Sequence, residues 1–259
     1  MIFEGRVFVG VAMLVFAIVL LQKVYSARKG HLPQMRRLPA LDAIDEALGR
    51  ATELGKPVHQ ALSSLSITSA GSNAGLMAGI AVSGYVSRKT AEMDTPLVVT
   101  VGAAETYMVA EEVVRSSYLQ AGKADAYNPS IVRFLSPAQF AYTTATIGIM
   151  NREKVAANIM IGSFGAESLI LAETGHNLGA IQIAGTAAMA QIPFFVVACD
   201  YCVIGEEVHV VSAYLEKDPE TMGAIAGQDV AKVLAGILVL LGSIGVTFGS
   251  DFFVNLLKK

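Results

Sequence analysis

The chain has 259 residues, 53% of them hydrophobic and 16% charged, and its mean hydropathy of +0.53 belongs with membrane proteins rather than water-soluble ones. A formal net charge of −3 supplies no positive field to hold nucleic acid, so no nucleic acid is expected among the partners. Two cysteines, Cys199 and Cys202, are too few for a disulfide framework and suit a reducing compartment.

The first element is the apolar run 7–21, VFVGVAMLVFAIVLL, uncharged through Gln22 and bounded by Arg6 and Lys23. About 16 helical residues fall a little short of a roughly 30 Å hydrocarbon core. The snorkelling reach of Arg6 and Lys23 supplies the missing turn. The segment VYSARKG offers no small-x-small cleavage site, because Tyr25 stands three residues before a cut after Ala27, so residues 1–25 read as an uncleaved transmembrane anchor. Lys23, Arg28, Lys29, Arg36 and Arg37 follow the run and Arg6 precedes it. That bias predicts a main domain facing the cytoplasm.

Residues 26–56 read as a basic linker and an amphipathic helix, in which Leu41, Ile44, Leu48 and Ala51 share one face and Gly55 and Pro57 end the pattern. Residues 57–231 then alternate short apolar runs with longer helical patterns. Strands are expected at 58–62, 97–101, 131–135, 158–161, 180–183 and 194–198, and helices at 72–91, 103–120, 137–152, 166–174, 186–191 and 203–215. This rhythm predicts an α/β domain with a largely parallel, Rossmann-like sheet and helices on both faces. Residues 65–86 carry no charge and are long enough to cross a membrane, but they are mostly Ser, Gly, Ala and Thr. A turn and a buried helix are expected there, with a third membrane segment as the alternative.

One internal echo stands out. AETYMVAEE (104–112) and AESLILAET (166–174) follow VVTVGA and IMIGSFG, so that Glu105 and Glu167 each fall in the first turn of a helix after a strand. Strand ends of open α/β sheets are where ligands bind. A glutamate there accepts from a ligand hydroxyl or amine, meets a neighbouring subunit, or offsets the helix dipole and caps its amides. Glu206, beside Glu207, repeats the theme, and three such acids on one edge would draw a cation or a basic partner. The alternative is three independent caps. GSNAGLMAG (71–79) lacks the dinucleotide fingerprint, so its four-residue glycine spacing points to close helix packing, with Ser72 and Asn73 kept as a phosphate-contact candidate. Cys199-Asp200-Tyr201-Cys202 is a C-x-x-C expected at the end of a strand, read as two buried small residues or, alternatively, as a redox pair. His31, His59, His176 and His209 are scattered, no metal site is expected, and nothing selects a cofactor.

Residues 232–259 form the second anchor, with Gly236, Gly242, Gly245 and Gly249 spaced for a close helix contact with the first anchor or another subunit. The order of anchor, basic linker, α/β domain and anchor, with VHQALS and the paired GAAET and FGAES, resembles an uncharacterised bacterial membrane-protein family known as a domain of unknown function. The resemblance implies a bacterial inner-membrane location and transfers no substrate, cofactor or catalytic residue. Three functions follow as expectations: a self-associating scaffold or regulatory protein, which would be a homo-oligomer in the lipid bilayer; a tethered sensor of a small polar or nucleotide-like ligand; and a tethered enzyme of unknown reaction.

Overall fold

A computed structural model describes residues 7–33, 37–68, 73–216 and 219–248. In chain order the elements are α1 (Val7–Arg28), α2 (Pro39–Leu54), β1 (Val58–Ala61), α3 (Asn73–Glu92), β2 (Leu97–Val101), α4 (Ala104–Gln120), β3 (Val132–Phe134), α5 (Gln139–Glu153), β4 (Ala157–Ile161), α6 (Glu167–Asn177), β5 (Ile181–Thr186), α7 (Ile192–Ala198), β6 (Tyr201–Ile204), α8 (Val211–Glu216) and α9 (Pro219–Thr247). Two compact units emerge, one of Arg37–Glu216 and one made by the terminal segments Met1–Arg36 and Lys217–Lys259.

The larger unit is built on six parallel strands in the order β3-β2-β1-β4-β5-β6. Strands β1, β2 and β4 are buried at every position, as a sheet covered on both faces requires. One face packs Val58, Val99, Ile159, Ile161 and Ile183 against α2, α3, α4 and α8. The other packs Ala61, Met160 and Ala184 against α5, α6 and α7. This is the Rossmann-like arrangement anticipated from the βα rhythm. The chain leaves β1 toward β2 and β3, returns through α5 to β4 on the other side of β1, and then proceeds outward to β6. The direction of winding therefore reverses between β1 and β4.

Local chemistry explains most elements. In α2, Pro39 opens the helix, the apolar stripe is buried through Ile44, Leu48 and Ala51, and Gly55 ends it with φ 61°. The helix packs into the α/β unit. In α3, a Cβ on Gly75 would stand 2.7 Å from Ser163 Oγ, and one on Gly79 would overlap the Ile161 carbonyl oxygen, so both glycines let the helix lie against the end of β4. Leu76, Val82 and Val86 of this helix are fully buried in the core, which removes the third-membrane-segment alternative for its described part.

Two expectations near the end of the unit are corrected. The expected strand at 194–198 lies in helix α7, and the expected helix at 186–191 lies at the end of β5 and in the turn beyond. The run Ile192–Ala198 is too short for periodicity to distinguish strand from helix, and Pro193 in its first turn favours the helix. The last strand is β6, and the helix expected at 203–215 is a 3-10 turn (Gly205–Val210) followed by α8.

The terminal unit contains two helices long and apolar enough to cross a membrane. They run antiparallel. A Cβ on Gly223 would stand 2.7 Å from Val24 Cα, and one on Gly227 would stand 3.0 Å from Leu20 Cα. An ion pair of 2.7 Å joins Arg28 to Glu220 at the same end. Helix α9 therefore starts well before residue 232, and its close approach uses Gly223 and Gly227. Gly236 instead faces open space, Gly242 and Gly245 are half-buried, and Gly249 lies outside the described residues.

Candidate functional site

All strands being parallel, the segments after β1, β2 and β4 meet at one edge, with β1 in the middle. The turn after β1 carries Ser63, a buried non-glycine residue at φ 72°. A left-handed serine persists only where its surroundings hold it. Here the Gly102 amide donates to Ser63 O at 3.0 Å and the Leu65 amide to Ser63 Oγ at 3.2 Å. Gly102 is required, since a Cβ there would lie 2.5 Å from Ser64 Cα and 2.8 Å from Ser136 O.

The same turn reaches both echo glutamates. Ser64 Oγ donates to Glu167 Oε1 at 3.3 Å, and Ser66 Oγ donates to Glu105 Oε2 at 3.3 Å. Glu105 is exposed at the start of α4, whereas Glu167 is 0% exposed at the start of α6. Glu167 also accepts from the Gly165 amide at 3.0 Å and from Gln139 Nε2 of α5. Three neutral donors from three segments thus satisfy a carboxylate removed from water.

The remaining candidates do not join this cluster. Glu206 follows β6, two strands beyond β4, or roughly 10 Å along the sheet. A single ring with Glu105 and Glu167 is therefore too wide for one cation, and no group of three His, Cys, Asp or Glu placed to hold a metal occurs among the described residues. Asn73 opens α3, and Ser72 lies outside the described residues. Cys199 follows the end of α7 and Cys202 lies within β6, so the pair closes a helix and enters a strand instead of opening a helix. Burial, followed by the neighbouring Asp200 and Cys202, pushes the Cys199 thiol well up, and burial with Asp200 pushes up Cys202. Reactive pairs need the opposite shift, which disfavours the redox reading.

Sequence reasoning missed a polar ladder beneath the edge. His59, Asn158 and Gln182 are in register on adjacent strands β1, β4 and β5. His59 Nδ1 lies 2.8 Å from Asn158 Oδ1, His59 Nε2 lies 3.0 Å from Thr100 Oγ1, and Asn158 Nδ2 donates to Gln182 Oε1 at 3.0 Å. Thr100 Oγ1 is 3.1 Å from the hydroxyl of Tyr142, a fully buried residue of α5. Burial lowers the His59 pKa to about 4, against a smaller upward pull from its bond to Asn158, so the ring is neutral near pH 7. Polar residues inside the short strand runs VHQA, ANIMI and IQIAGT were the available signal. A separate groove of about 300 Å³, lined in part by Tyr85, Arg88, Glu112 and Gln120, lies between α3 and α4 and contains none of these groups.

The class this defines is an α/β protein with a Rossmann-like sheet that also carries two helices suited to anchoring it in a membrane. The chain belongs to the family described as domain of unknown function DUF6754, whose family model matches residues 1–257. No curated protein and no solved structure matches it.

Proposed function

We propose that this is a membrane-tethered sensor that binds a small polar ligand at the point where the sheet reverses its winding. The observation that carries the reading is the β1 turn, which holds a left-handed serine and bonds to both glutamates at that edge. Glu105 is the exposed acceptor available to a ligand hydroxyl or amine, while Glu167 keeps the turn in place from below. Open α/β sheets bind ligands at such reversal points, which supports the location without naming the molecule. The basic residues after α1 support a cytoplasmic domain at a bacterial inner membrane.

A self-associating scaffold is the second reading. It is favoured by Met189, Val196 and Val197, exposed by 79%, 52% and 86% around α7. Thermal unfolding of the full-length protein in detergent, with nucleosides, nucleotides, sugars and amino acids added singly, separates the two. The sensor reading expects at least one compound to raise the melting temperature of the wild type and to lose that effect in Glu105→Ala. No stabilisation by any compound, together with a defined oligomer lost on Val197→Asp, would favour the scaffold.

A further inference from the structure

The polar ladder has a direction that can be worked out from one end. Gln182 Nε2 lies 2.7 Å from the Ala172 carbonyl oxygen and 2.6 Å from that of Ala198. Two carbonyls can be satisfied only by an NH2 group, so Gln182 Oε1 must point the other way, toward Asn158. Asn158 then has to present Nδ2 to Gln182 and Oδ1 to His59, as observed. An amide oxygen only accepts, so the proton of the neutral ring sits on Nδ1 and Nε2 is an acceptor. The Thr100 hydroxyl must then donate to Nε2, so the Tyr142 hydroxyl donates to Thr100, whose Oγ1 and carbonyl oxygen lie 3.1 Å and 3.3 Å from it. The Thr100 carbonyl also accepts from the Leu62 amide at 2.9 Å, so the Tyr142 hydroxyl meets β2 where it holds the residue before Ser63.

We infer that Tyr142, Thr100, His59, Asn158 and Gln182 form a one-way hydrogen-bond relay that fixes the Nδ1–H tautomer of His59 and braces the Thr100 carbonyl holding Leu62, the residue before the Ser63 turn. Beside the relay, the backbone N–H of Gln182 donates to Asp200 Oδ2 at 2.8 Å, tying β5 to the segment before β6. Gly175 leaves room for the relay, because a Cβ there would overlap Gln182 Oε1. The strands supply the spacing: His59, Asn158 and Gln182 face α5 and α6 from three adjacent strands in exact register, and Thr100 stands on the fourth. An apolar residue at any rung would strand a buried donor or acceptor on its neighbours. The inference concerns the hydrogen bonds beneath the turn and stands whether or not a ligand binds there.

The test uses the full-length protein in detergent with ¹⁵N-labelled histidine. The ¹⁵N shifts of His59 are expected to show a neutral ring protonated at Nδ1, unchanged between about pH 5.5 and 8. In Tyr142→Phe the tautomer should persist, while the amide of Leu62, which bonds to the Thr100 carbonyl, exchanges with solvent about ten-fold faster and the β4 amides do not. Should Tyr142→Phe not fold, Thr100→Val breaks the relay one link earlier and is read through the same amide. An Nε2–H tautomer, a ring that titrates in the tested range, or wild-type exchange at Leu62 in the folded variant would each overturn the inference.

Discussion

The two echoed units, β2–α4 and β4–α6, share a sequence frame and a backbone position yet place their glutamates in opposite environments. Glu105 faces water with Ser66 beside it, whereas Glu167 is enclosed by Ser64, Gln139 and the Gly165 amide. The difference comes from what packs over each helix start. Helix α5 crosses to the face that carries α6 and brings Gln139 over Glu167, and α4 has no equivalent cover. A repeated local sequence therefore fixes where a side chain begins, while distant segments decide what it experiences.

Substitutions at paired positions sharpen this comparison. The largest effect is expected at the glycine before Glu105: Gly102→Ala would force a methyl against Ser64 Cα and the Ser136 carbonyl, both backbone atoms. A loss of about 3 kcal/mol in chemical denaturation is expected. In the other unit, Gly165→Ala, two residues before Glu167, meets mainly the end of the Gln139 side chain and should cost about 1 kcal/mol. Equal costs would mean that the two turns are equally constrained, contrary to the geometry.

His59 supplies a pH test of similar size. Its folded pKa of about 4 lies below the ordinary 6.5, so the unfolded chain binds the additional proton between these values. Stability from this group is thus complete above about pH 6.5 and is lost as pH falls toward 4, by roughly 3 kcal/mol in total. The difference in melting behaviour between wild type and His59→Gln should change across that window and be constant above it. A pH-independent difference would mean that the ring is solvated in the folded protein.

The glutamates themselves come next. Glu167→Ala leaves three donors, one buried and two half-buried, without their acceptor and should destabilise the protein by about 2 kcal/mol, while Glu105→Ala should stay within about 0.5 kcal/mol. Comparable losses would contradict the division into a supporting and an exposed carboxylate.

Much of the fold was legible because its signals are local. The stripe of α2, the apolar β2 run Leu97–Val101 and the strand-to-helix rhythm up to α6 require no knowledge of distant residues. The region after β5 was misread because Ile192–Ala198 is too short for its period to show, and α9 was started late because its first turns are polar while its glycines, Gly223 and Gly227, sit before the apolar run. The positions of Glu105 and Glu167 followed from the echo. The burial of Glu167 did not, since it depends on Gln139 and Ser64, the latter 103 residues away. The ladder was illegible for the same reason: His59 and Asn158 are 99 residues apart, and each looks like an isolated polar residue in an apolar strand.

The central claim is that the edge gathered by the β1 turn binds a small molecule, and native mass spectrometry of the detergent-purified full-length protein tests it most directly. The account predicts a reproducible adduct of small-molecule mass on the wild type that is absent from Glu105→Ala. A bare protein mass in every preparation, with a defined oligomer and no adduct, would contradict it and leave the scaffold reading in its place.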